Sequence, residues 1–357
     1  MTASTVHSAD ATDNAYNLLA TFLGWTVPDL VDALSASERG DYARFDVPKG
    51  DGRVRKLAEP APKLKAMQRR LLDRWLNRAV VSPFAHGFVP GRSIATAARV
   101  HAPTAKAIVS ADIRDAFPST RKVRVRRAIE WHLGPTLKHS FPVADADVRA
   151  AAFDMLATAC TFENALPQGA PTSGMLLNLV CGRLDRLVAM HVLAPWRERL
   201  PDLLYTRYAD DLTFTASRPI PQEFVEELGK VVLRSGYELN RRKLEHYEAK
   251  CRDLLICGVR IHDGTLALPR QTLKRYRALF DHAIAHEPDS IPEDLRLRVF
   301  GTLGLLRMIY AACPISLERP LERLLHVHRS WLLRPSQSRL ARTQQPRAKS
   351  LWVYDLA

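Results

Sequence analysis

Three aspartates have the residue type and placement needed to hold metal ions. Asp210 and Asp211 are adjacent, and the strand-like segments 203–208 and 212–215 on either side predict that the pair lies at the tip of a hairpin. Asp112 follows a short apolar run that predicts a buried strand ending at this residue. Three neighbouring carboxylates repel one another, and a cation removes that repulsion. Because carboxylate oxygens suit magnesium, the trio predicts a site for two divalent ions of the kind that assist nucleotidyl transfer.

The aspartate pair also has a simpler interpretation. Aspartate favours turns because its side chain bonds nearby backbone and tolerates a left-handed conformation. An aromatic residue, any residue and two aspartates is by itself a weak motif. The strand-like flanks and the third carboxylate favour the metal site over the ordinary turn.

The elements that must position these residues alternate between strands and helices. The segment 44–57 alternates around a turn and predicts a basic hairpin, and helical spacing follows at 64–75. Further helices are predicted at 121–133, 147–160 and 174–194, and beyond Pro269 at 270–286, 291–312 and 316–333. Strand, helices and hairpin in this order predict an α+β domain.

Composition limits the partners. Fifty-two Lys and Arg against 38 Asp and Glu leave a net charge of +14, which favours polyanions, either nucleic acid or anionic lipid. Neither a long apolar span nor a leader-type start is present, so a cytoplasmic protein without a membrane partner is expected.

Five scattered cysteines without a C-x-x-C pair are interpreted as interior residues. His86 and His101 are interpreted as structural or RNA-contacting, with no zinc site.

Several blocks together resemble the reverse transcriptase family, and within it the bacterial retron enzymes most closely. The quoted blocks are Tyr208-Ala-Asp-Asp211, Asp112-Ile-Arg-Asp-Ala-Phe-Pro-Ser119, Leu166-Pro-Gln-Gly-Ala-Pro-Thr-Ser173, Phe84-Ala-His-Gly-Phe-Val-Pro-Gly-Arg-Ser-Ile94, Arg53 to Arg70, and Asn240-Arg-Arg-Lys243 with Cys257-Gly258. The similarity runs from about Tyr42 to Leu268. Two positions depart from the retron pattern, because Ala97 stands where Asn is usual and Cys257 where Thr is usual, whereas His101 and Gly258 match.

The resemblance implies a right-hand polymerase fold. Its parts are an N-terminal helical lead-in at 1–43, fingers at 44–105, a palm of antiparallel sheet plus helices at 106–268 with helical insertions at about 121–165, a helical thumb at 269–335 and a basic tail at 336–357. The basic residues of the thumb would follow a nucleic-acid backbone.

The resemblance also implies roles for individual residues. Asp112, Asp210 and Asp211, with the backbone carbonyl of Ile113, would hold two Mg²⁺ ions, for which Mn²⁺ could substitute. Lys243 would give a proton to the departing pyrophosphate.

The nucleotide would be bound by Lys49, Arg53 and Arg55 at its triphosphate, by Phe117 at its sugar, and by Gln168 and Gly169 beneath the base. Phe117 would exclude a 2′-hydroxyl, so the implied product is DNA. Tyr208, His101 and Gly258 would contact primer or template.

Three functional hypotheses remain open. The first is a retron enzyme that copies a structured non-coding RNA into RNA-linked DNA from dNTPs, with an effector protein encoded nearby and a role in phage defence. The second is another bacterial reverse transcriptase, of a defence or intron type, and the lack of an evident maturase or endonuclease extension disfavours the intron type. The third is an RNA-binding scaffold that keeps the fold without catalysis. The template, priming site, product length, effector and oligomeric state do not follow from the sequence.

Overall fold

The computed structural model describes residues 8–48, 54–250, 253–287, 290–311 and 313–332, without the side chains of 329–332. The chain divides into two units. The first comprises 1–97 and 106–251, and the second comprises 98–105 and 252–357. The three aspartates lie in the first unit.

The first unit is built on a four-stranded antiparallel sheet. Its strands are β3 (Ala107–Asp112), β4 (Leu204–Tyr208), β5 (Asp211–Ala216) and β6 (Glu245–Glu248), in the order β4-β5-β3-β6. The two central strands, β3 and β5, are almost entirely buried.

Five helices cover this sheet and extend beside it. They are α5 (Ala116–Ser119), α6 (Lys122–Ser140), α7 (Ala146–Ala159), α8 (Ser173–Val188) and α10 (Gln222–Arg234). A π-helical turn, Ala189–Leu193, continues α8 into the short α9 (Ala194–Trp196). Aromatic rings join sheet to helices, since Phe214 stacks on Tyr205 at 4.6 Å and meets Phe224 edge-on at 5.0 Å between ring centroids. α8 is the most buried of these helices and lies under the hairpin of β4 and β5.

A second, two-stranded sheet precedes the central one in the chain. β1 (Tyr42–Pro48) pairs antiparallel with β2 (Val54–Pro60), and α3 (Pro62–Arg74), a 3₁₀ turn (Leu76–Arg78) and α4 (Ile94–His101) follow. This is the predicted basic hairpin, and the connection between its strands lies outside the described residues.

The N-terminal segment is two helices rather than one lead-in. α1 (Ala9–Leu23) ends at Gly24, which has a left-handed φ of 65°, and α2 (Val27–Glu38) follows. Arg74 donates to the Leu23 carbonyl at 2.7 Å, and the ring of Trp75 stacks on Phe22 at 4.0 Å. These helices pack on α3 and α7 and are part of the core of the first unit.

The second unit combines a small meander with three helices. β7 (Leu254–Ile256), β8 (Val259–His262) and β9 (Thr265–Ala267) form an antiparallel sheet, and α11 (Arg270–Ile284), α12 (Glu293–Ile309) and α13 (Ile315–Leu332) follow. α13 is kinked at His328, whose buried ring bonds the Ala283 carbonyl at 2.7 Å. The predicted tail at 336–357 lies outside the described residues.

The interpretation of all cysteines as interior residues was wrong for two of them. Cys160 and Cys181 are buried, but Cys257 and Cys313 are half-exposed, and Cys251 is outside the described residues. Cys257 lies at the tip of the β7–β8 hairpin with a φ of 49°, and Gly258 follows with a φ of 79°. Two successive positive φ angles are what a two-residue hairpin turn requires, so turn geometry overrides the apolar preference of cysteine.

Within the described ranges, no single helix is long and apolar enough to cross a membrane. The pair α1 and α2 reaches the necessary length and composition only together, and it is bent by 106°. The apolar faces of both helices are buried in the first unit.

The α+β class is confirmed, and most of the predicted strands and helices match the described ones to within a few residues, although α6 continues to Ser140 and α10 and strands β6 to β9 were not predicted. The agreement is good because most segments are long or strongly periodic. The boundaries of fingers, palm and thumb remain predictions.

The packing of the N-terminal helices predicts that they contribute to the stability of the first unit. Leu19 in α1 is fully buried, so Leu19→Ala should lower the free energy of unfolding by about 3 kcal/mol. Val143→Ala, at a side chain that is 93% exposed, should change it by less than about 0.5 kcal/mol. Chemical denaturation of both variants measures this, and equal stabilities would show that α1 is dispensable to the fold.

Candidate active site

The tip of the β4–β5 hairpin carries two of the three aspartates. Tyr208 pairs with Asp211 across the hairpin, so Ala209 and Asp210 form a two-residue turn. Ala209 has a φ of 56°, which a residue with a side chain rarely adopts, but a tight hairpin turn demands a positive φ at this position. The turn therefore holds the two carboxylates in one arrangement.

The third aspartate lies directly opposite. Asp112, the last residue of β3, is in register with Asp211 of the neighbouring strand. The next residue, Ile113, donates its amide to the Asp210 carbonyl at 2.9 Å. The antiparallel register thus brings together residues that are about a hundred positions apart in the chain. The predicted carboxylate trio is one cluster.

A buried ion pair lies beneath the hairpin tip. Arg207 is fully buried and forms two parallel hydrogen bonds with Asp185 of α8, each 2.8 Å long. Its remaining nitrogen, Nη1, donates to Asn178 Oδ1 at 2.8 Å and to the Ala209 carbonyl at 3.0 Å. Tyr205 completes the cluster by donating its hydroxyl to Asp185 at 2.8 Å. The guanidinium therefore joins the turn to the helix below it.

The loop before α4 is attached to the same strand. Arg207 donates its amide to the Phe84 carbonyl and accepts from the His86 amide, both at 2.7 Å. Asn178 Nδ2 donates to the Gly87 carbonyl at 2.6 Å. A Cβ at Gly87 would lie 2.7 Å from the Ala209 nitrogen, so glycine is required for this close approach.

Burial and mutual repulsion make the carboxylates costly to ionise. Burial first and the charge of Asp112 second raise the pKa of Asp210. Burial, Asp210 and Asp112 together raise the pKa of Asp211 to about 6. A cation at this position would relieve both effects.

Lys243 supplies part of the missing positive charge. It follows Asn240 in a 3₁₀ turn, Arg241–Lys243, and its ammonium lies 2.5 Å from Asp112 Oδ1. Asn240 Nδ2 donates to Asp112 Oδ2 at 3.0 Å. Burial alone would lower the pKa of Lys243, but its hydrogen bond to Asp112 and the three negative charges raise it.

The donor set suits hard divalent cations, although the side chains are not arranged as a finished metal site. Among the described residues, no three His, Cys, Asp or Glu side chains are spaced as ligands of one ion. Asp112 is in hydrogen-bonding contact with Asp211 and also accepts from Lys243 and Asn240. The chemistry of the site fits a metal, and the raised carboxyl pKa values are its signature.

The predicted triphosphate residues are only partly described. Arg55 lies on β2, and its charge lowers the pKa of Asp210 against the effect of burial, which places the guanidinium within electrostatic reach of the site. Lys49 and Arg53 lie outside the described residues. Their roles stay predictions.

The predicted sugar and base residues lie in the same unit. Phe117 is half-buried on α5, a single turn that starts after Asp115, whose φ is 48°. The backbone carbonyl of Gln168 accepts a hydrogen bond from the Ala58 amide at 2.7 Å. Gly169 has a φ of 118°, and a Cβ there would lie 3.0 Å from the Ala58 carbonyl oxygen. Glycine at this position therefore allows a close approach to strand β2, and the role of Gly169 beneath the base stays a prediction.

The predicted primer and template residues are divided between the units. Tyr208 is at the β4–β5 hairpin of the first unit, whereas His101 and Gly258 belong to the second unit. His101 is fully buried, which favours the structural interpretation, and Gly258 is exposed at its hairpin tip. His86 is also structural, because its Nδ1 bonds the Thr96 hydroxyl at 2.8 Å.

Sequence reasoning missed the residues that support the site. Arg207, Asp185 and Asn178 carry no motif of their own, and Asn240 was quoted without a role. One signal was available for Arg207, because a charged residue inside an otherwise apolar strand is expected to have a buried partner. Which residue is that partner could not be read from the sequence.

Comparison with known proteins identifies the family. The family model described as "Reverse transcriptase (RNA-dependent DNA polymerase)" matches residues 47–261, which is more than half of the chain. The chain belongs to the reverse transcriptase family. Members of this family use divalent metal ions, in agreement with the carboxylate cluster. The resemblance drawn from the short sequence blocks is confirmed.

The relatives of this reverse transcriptase include retron enzymes. It is 36% identical over 279 residues to the retron Mx65 reverse transcriptase of Myxococcus xanthus, covering 75% of this chain and 61% of the relative. It is 38% identical over 273 residues to the retron Mx162 reverse transcriptase of the same organism, covering 71% and 55%. The chain thus spans less than two thirds of the length of either relative.

Among solved structures, this reverse transcriptase has a weak similarity to a telomerase from Candida albicans in complex with a fragment of telomeric RNA. The TM-score is 0.43 with 11% identity, over 80% of this chain and 56% of the telomerase chain.

The buried ion pair predicts a large and specific stability effect. Asp185→Ala leaves the Arg207 charge unpaired, so the free energy of unfolding should fall by about 3 to 5 kcal/mol. Replacing both partners, as in Asp185→Leu with Arg207→Met, should cost less than the single change because no charge stays buried. Denaturant unfolding of the three proteins tests this, and a double variant less stable than the single one would contradict it.

The raised pKa of Asp211 predicts that the stability of the metal-free protein depends on pH. Its value is about 6 in the folded protein against an ordinary 3.8, so the folded state holds the proton more tightly than the unfolded state. This contribution to stability is present at low pH and is lost as the pH rises through about 6. In EDTA, Asp211→Asn should therefore melt higher than the wild type at about pH 8 but not at about pH 4. A melting difference independent of pH would refute the assignment.

Proposed function

We propose that this protein is an RNA-directed DNA polymerase of the retron type. The main support for the proposal is the position of Asp112 opposite Asp211, with Asp210 in the adjoining turn. The family model matches the segment that contains all three aspartates. Two retron reverse transcriptases among its relatives support the narrower assignment.

The acidic cluster would hold two divalent ions, of which Mg²⁺ is the natural choice and Mn²⁺ a substitute. Asp112, Asp210 and Asp211 would be the carboxylate ligands, and the Ile113 carbonyl a further oxygen. Such ions activate the attacking hydroxyl and neutralise the leaving pyrophosphate. Carboxylates and carbonyls are hard ligands, as Mg²⁺ requires.

Lys243 would have two roles: it would first neutralise Asp112 and then donate a proton to the leaving group. In the absence of a metal, its ammonium neutralises the carboxylate that it contacts at 2.5 Å. If a bound cation neutralised Asp112 instead, the ammonium would become available to a phosphate oxygen. Because the lysine is then near the departing pyrophosphate, it can donate the proton that this group needs.

The remaining predicted residues would select a dNTP. Arg55, near Asp210 and on the β1–β2 hairpin, would grip the triphosphate together with Lys49 and Arg53. Phe117 would close the sugar pocket against a 2′-hydroxyl. Gln168, whose carbonyl is bonded to the Ala58 amide of β2, and the neighbouring Gly169 would lie beneath the base pair.

The biological setting is proposed on the relatives alone. The template and primer would be one structured non-coding RNA, and the product a short DNA linked to it. An effector protein encoded nearby, a role in phage defence and a cytoplasmic location belong to the same proposal.

The function is tested with the wild type and with a variant that lacks two ligands. The double variant Asp210→Asn, Asp211→Asn should lose more than about a hundredfold of its DNA synthesis on a primed RNA template, because charge stabilisation in the reaction is removed. The same two proteins are then purified from cells that carry the native locus, and the nucleic acid bound to each is sequenced.

DNA joined to RNA in the wild-type sample and absent from the double variant would support the retron assignment. RNA-templated synthesis by the wild type without an RNA-linked product would point to another bacterial reverse transcriptase. RNA bound equally by both proteins, with no synthesis by either, would reject the polymerase and favour the scaffold.

A further inference from the structure

Phe88 has a backbone conformation that a bulky residue seldom adopts. Its φ is 57°, in the left-handed region that favours glycine and asparagine. Such a conformation persists only where the surrounding structure enforces it, and it is frequent at functional sites.

The backbone before Phe88 is bonded to the catalytic hairpin and to α8. His86 donates its amide to Arg207, and the Gly87 carbonyl accepts from Asn178 at 2.6 Å. Gly87 itself lies against the turn, since a Cβ there would be 2.7 Å from the Ala209 nitrogen. The strained residue is therefore fixed to the same network that positions Asp210 and Asp211.

The ring of Phe88 fills the space between α8 and Phe117. It lies on Gly174, where any Cβ would overlap the ring, so the first turn of α8 is shaped to receive it. It meets the Phe117 ring edge-on, with the centroids 6.4 Å apart and an angle of 87° between the planes. The ring is nonetheless 55% exposed. A half-exposed phenylalanine gains little from burial, so core packing does not account for a strained backbone here.

Phe117 needs a neighbour of this kind. It stands on α5, a helix of four residues. If the Phe117 ring is to exclude a 2′-hydroxyl but admit a hydrogen atom, the ring must stay in place, because a side chain that moves aside admits the larger sugar. The edge-on contact restricts the Phe117 ring from the side on which Phe88 lies.

We propose that Phe88 is a positioning residue for sugar selection, which braces the Phe117 ring against movement away from the incoming nucleotide. The inference rests on the proposed function, in which Phe117 closes the sugar pocket. Phe88 does not itself need to touch the nucleotide. Its strained backbone fixes the distance between the catalytic hairpin and the aromatic wall.

The readout is the ratio of kcat/KM for a dNTP to that for the matching rNTP on a primed RNA template. Phe88→Gly removes the ring and accepts the positive φ without strain, so folding is retained and the ratio should fall about tenfold through faster rNTP use. Phe88→Tyr keeps the ring edge and should keep the ratio within about twofold of the wild type. Trp131→Ala, at an exposed aromatic residue on α6, is the matched control and should leave the ratio unchanged. Melting curves for each variant report on folding.

Combining the two substitutions tests whether Phe88 acts through Phe117 or independently of it. Phe117→Ala alone should lower the ratio by more than Phe88→Gly does. If Phe88 acts through Phe117, adding Phe88→Gly to Phe117→Ala should lower the ratio no further, whereas independent residues would have multiplying effects.

An unchanged ratio in folded Phe88→Gly would overturn the inference, as would effects of Phe88→Gly and Phe117→Ala that multiply. A wild type that extends no primer with dNTPs would instead refute the proposed function, so the two failures are distinguishable.

Discussion

The hydrogen-bonded pair of Arg207 and Asp185 is the interaction on which the geometry of the site depends. A guanidinium with no exposed surface must satisfy its donors inside the protein. Those of Arg207 reach the Asp185 carboxylate and the side-chain oxygen of Asn178, both on α8, and the Ala209 carbonyl of the turn. The fork geometry of the guanidinium permits few arrangements of these acceptors. The strand, the helix and the turn are thereby held in one register.

The carboxylate cluster above this pair is held in a state that is unfavourable in the absence of cations. Burial and mutual repulsion raise the pKa of both Asp210 and Asp211, and the charge of Lys243, which is bonded to Asp112, offsets only part of this rise. The fold thus creates a site with excess negative charge and stabilises it through contacts made elsewhere. This division between a strained site and a well-satisfied support is common in catalytic sites, because pre-organised groups need little rearrangement during the reaction.

Glycines connect the site to its surroundings at two places. Gly87 allows the loop before α4 to lie against the catalytic turn, and Gly169 allows a second loop to lie against β2. The family resemblance implied that Gly169 lies beneath the base of the nucleotide, and the structure shows that the glycine also allows a close approach to β2. The distinction matters for interpreting such motifs, since a glycine in a binding loop can serve the assembly of the pocket as well as the ligand.

The sequence alone determined the family of this protein and most of its local structure. The periodicity of apolar residues marked the strands and helices, and carboxylates at strand ends marked the proposed metal site, because both signals are local. Tertiary structure alone decided that Asp112 faces Asp211, that Asp185 is the partner of Arg207, and that Phe88 lies against Phe117. Cys257 was misplaced because the demands of a hairpin turn outweighed its apolar character. The physical reason is the same in each case: pairing between distant segments depends on strand register and on shape in the core, which no short stretch of sequence specifies.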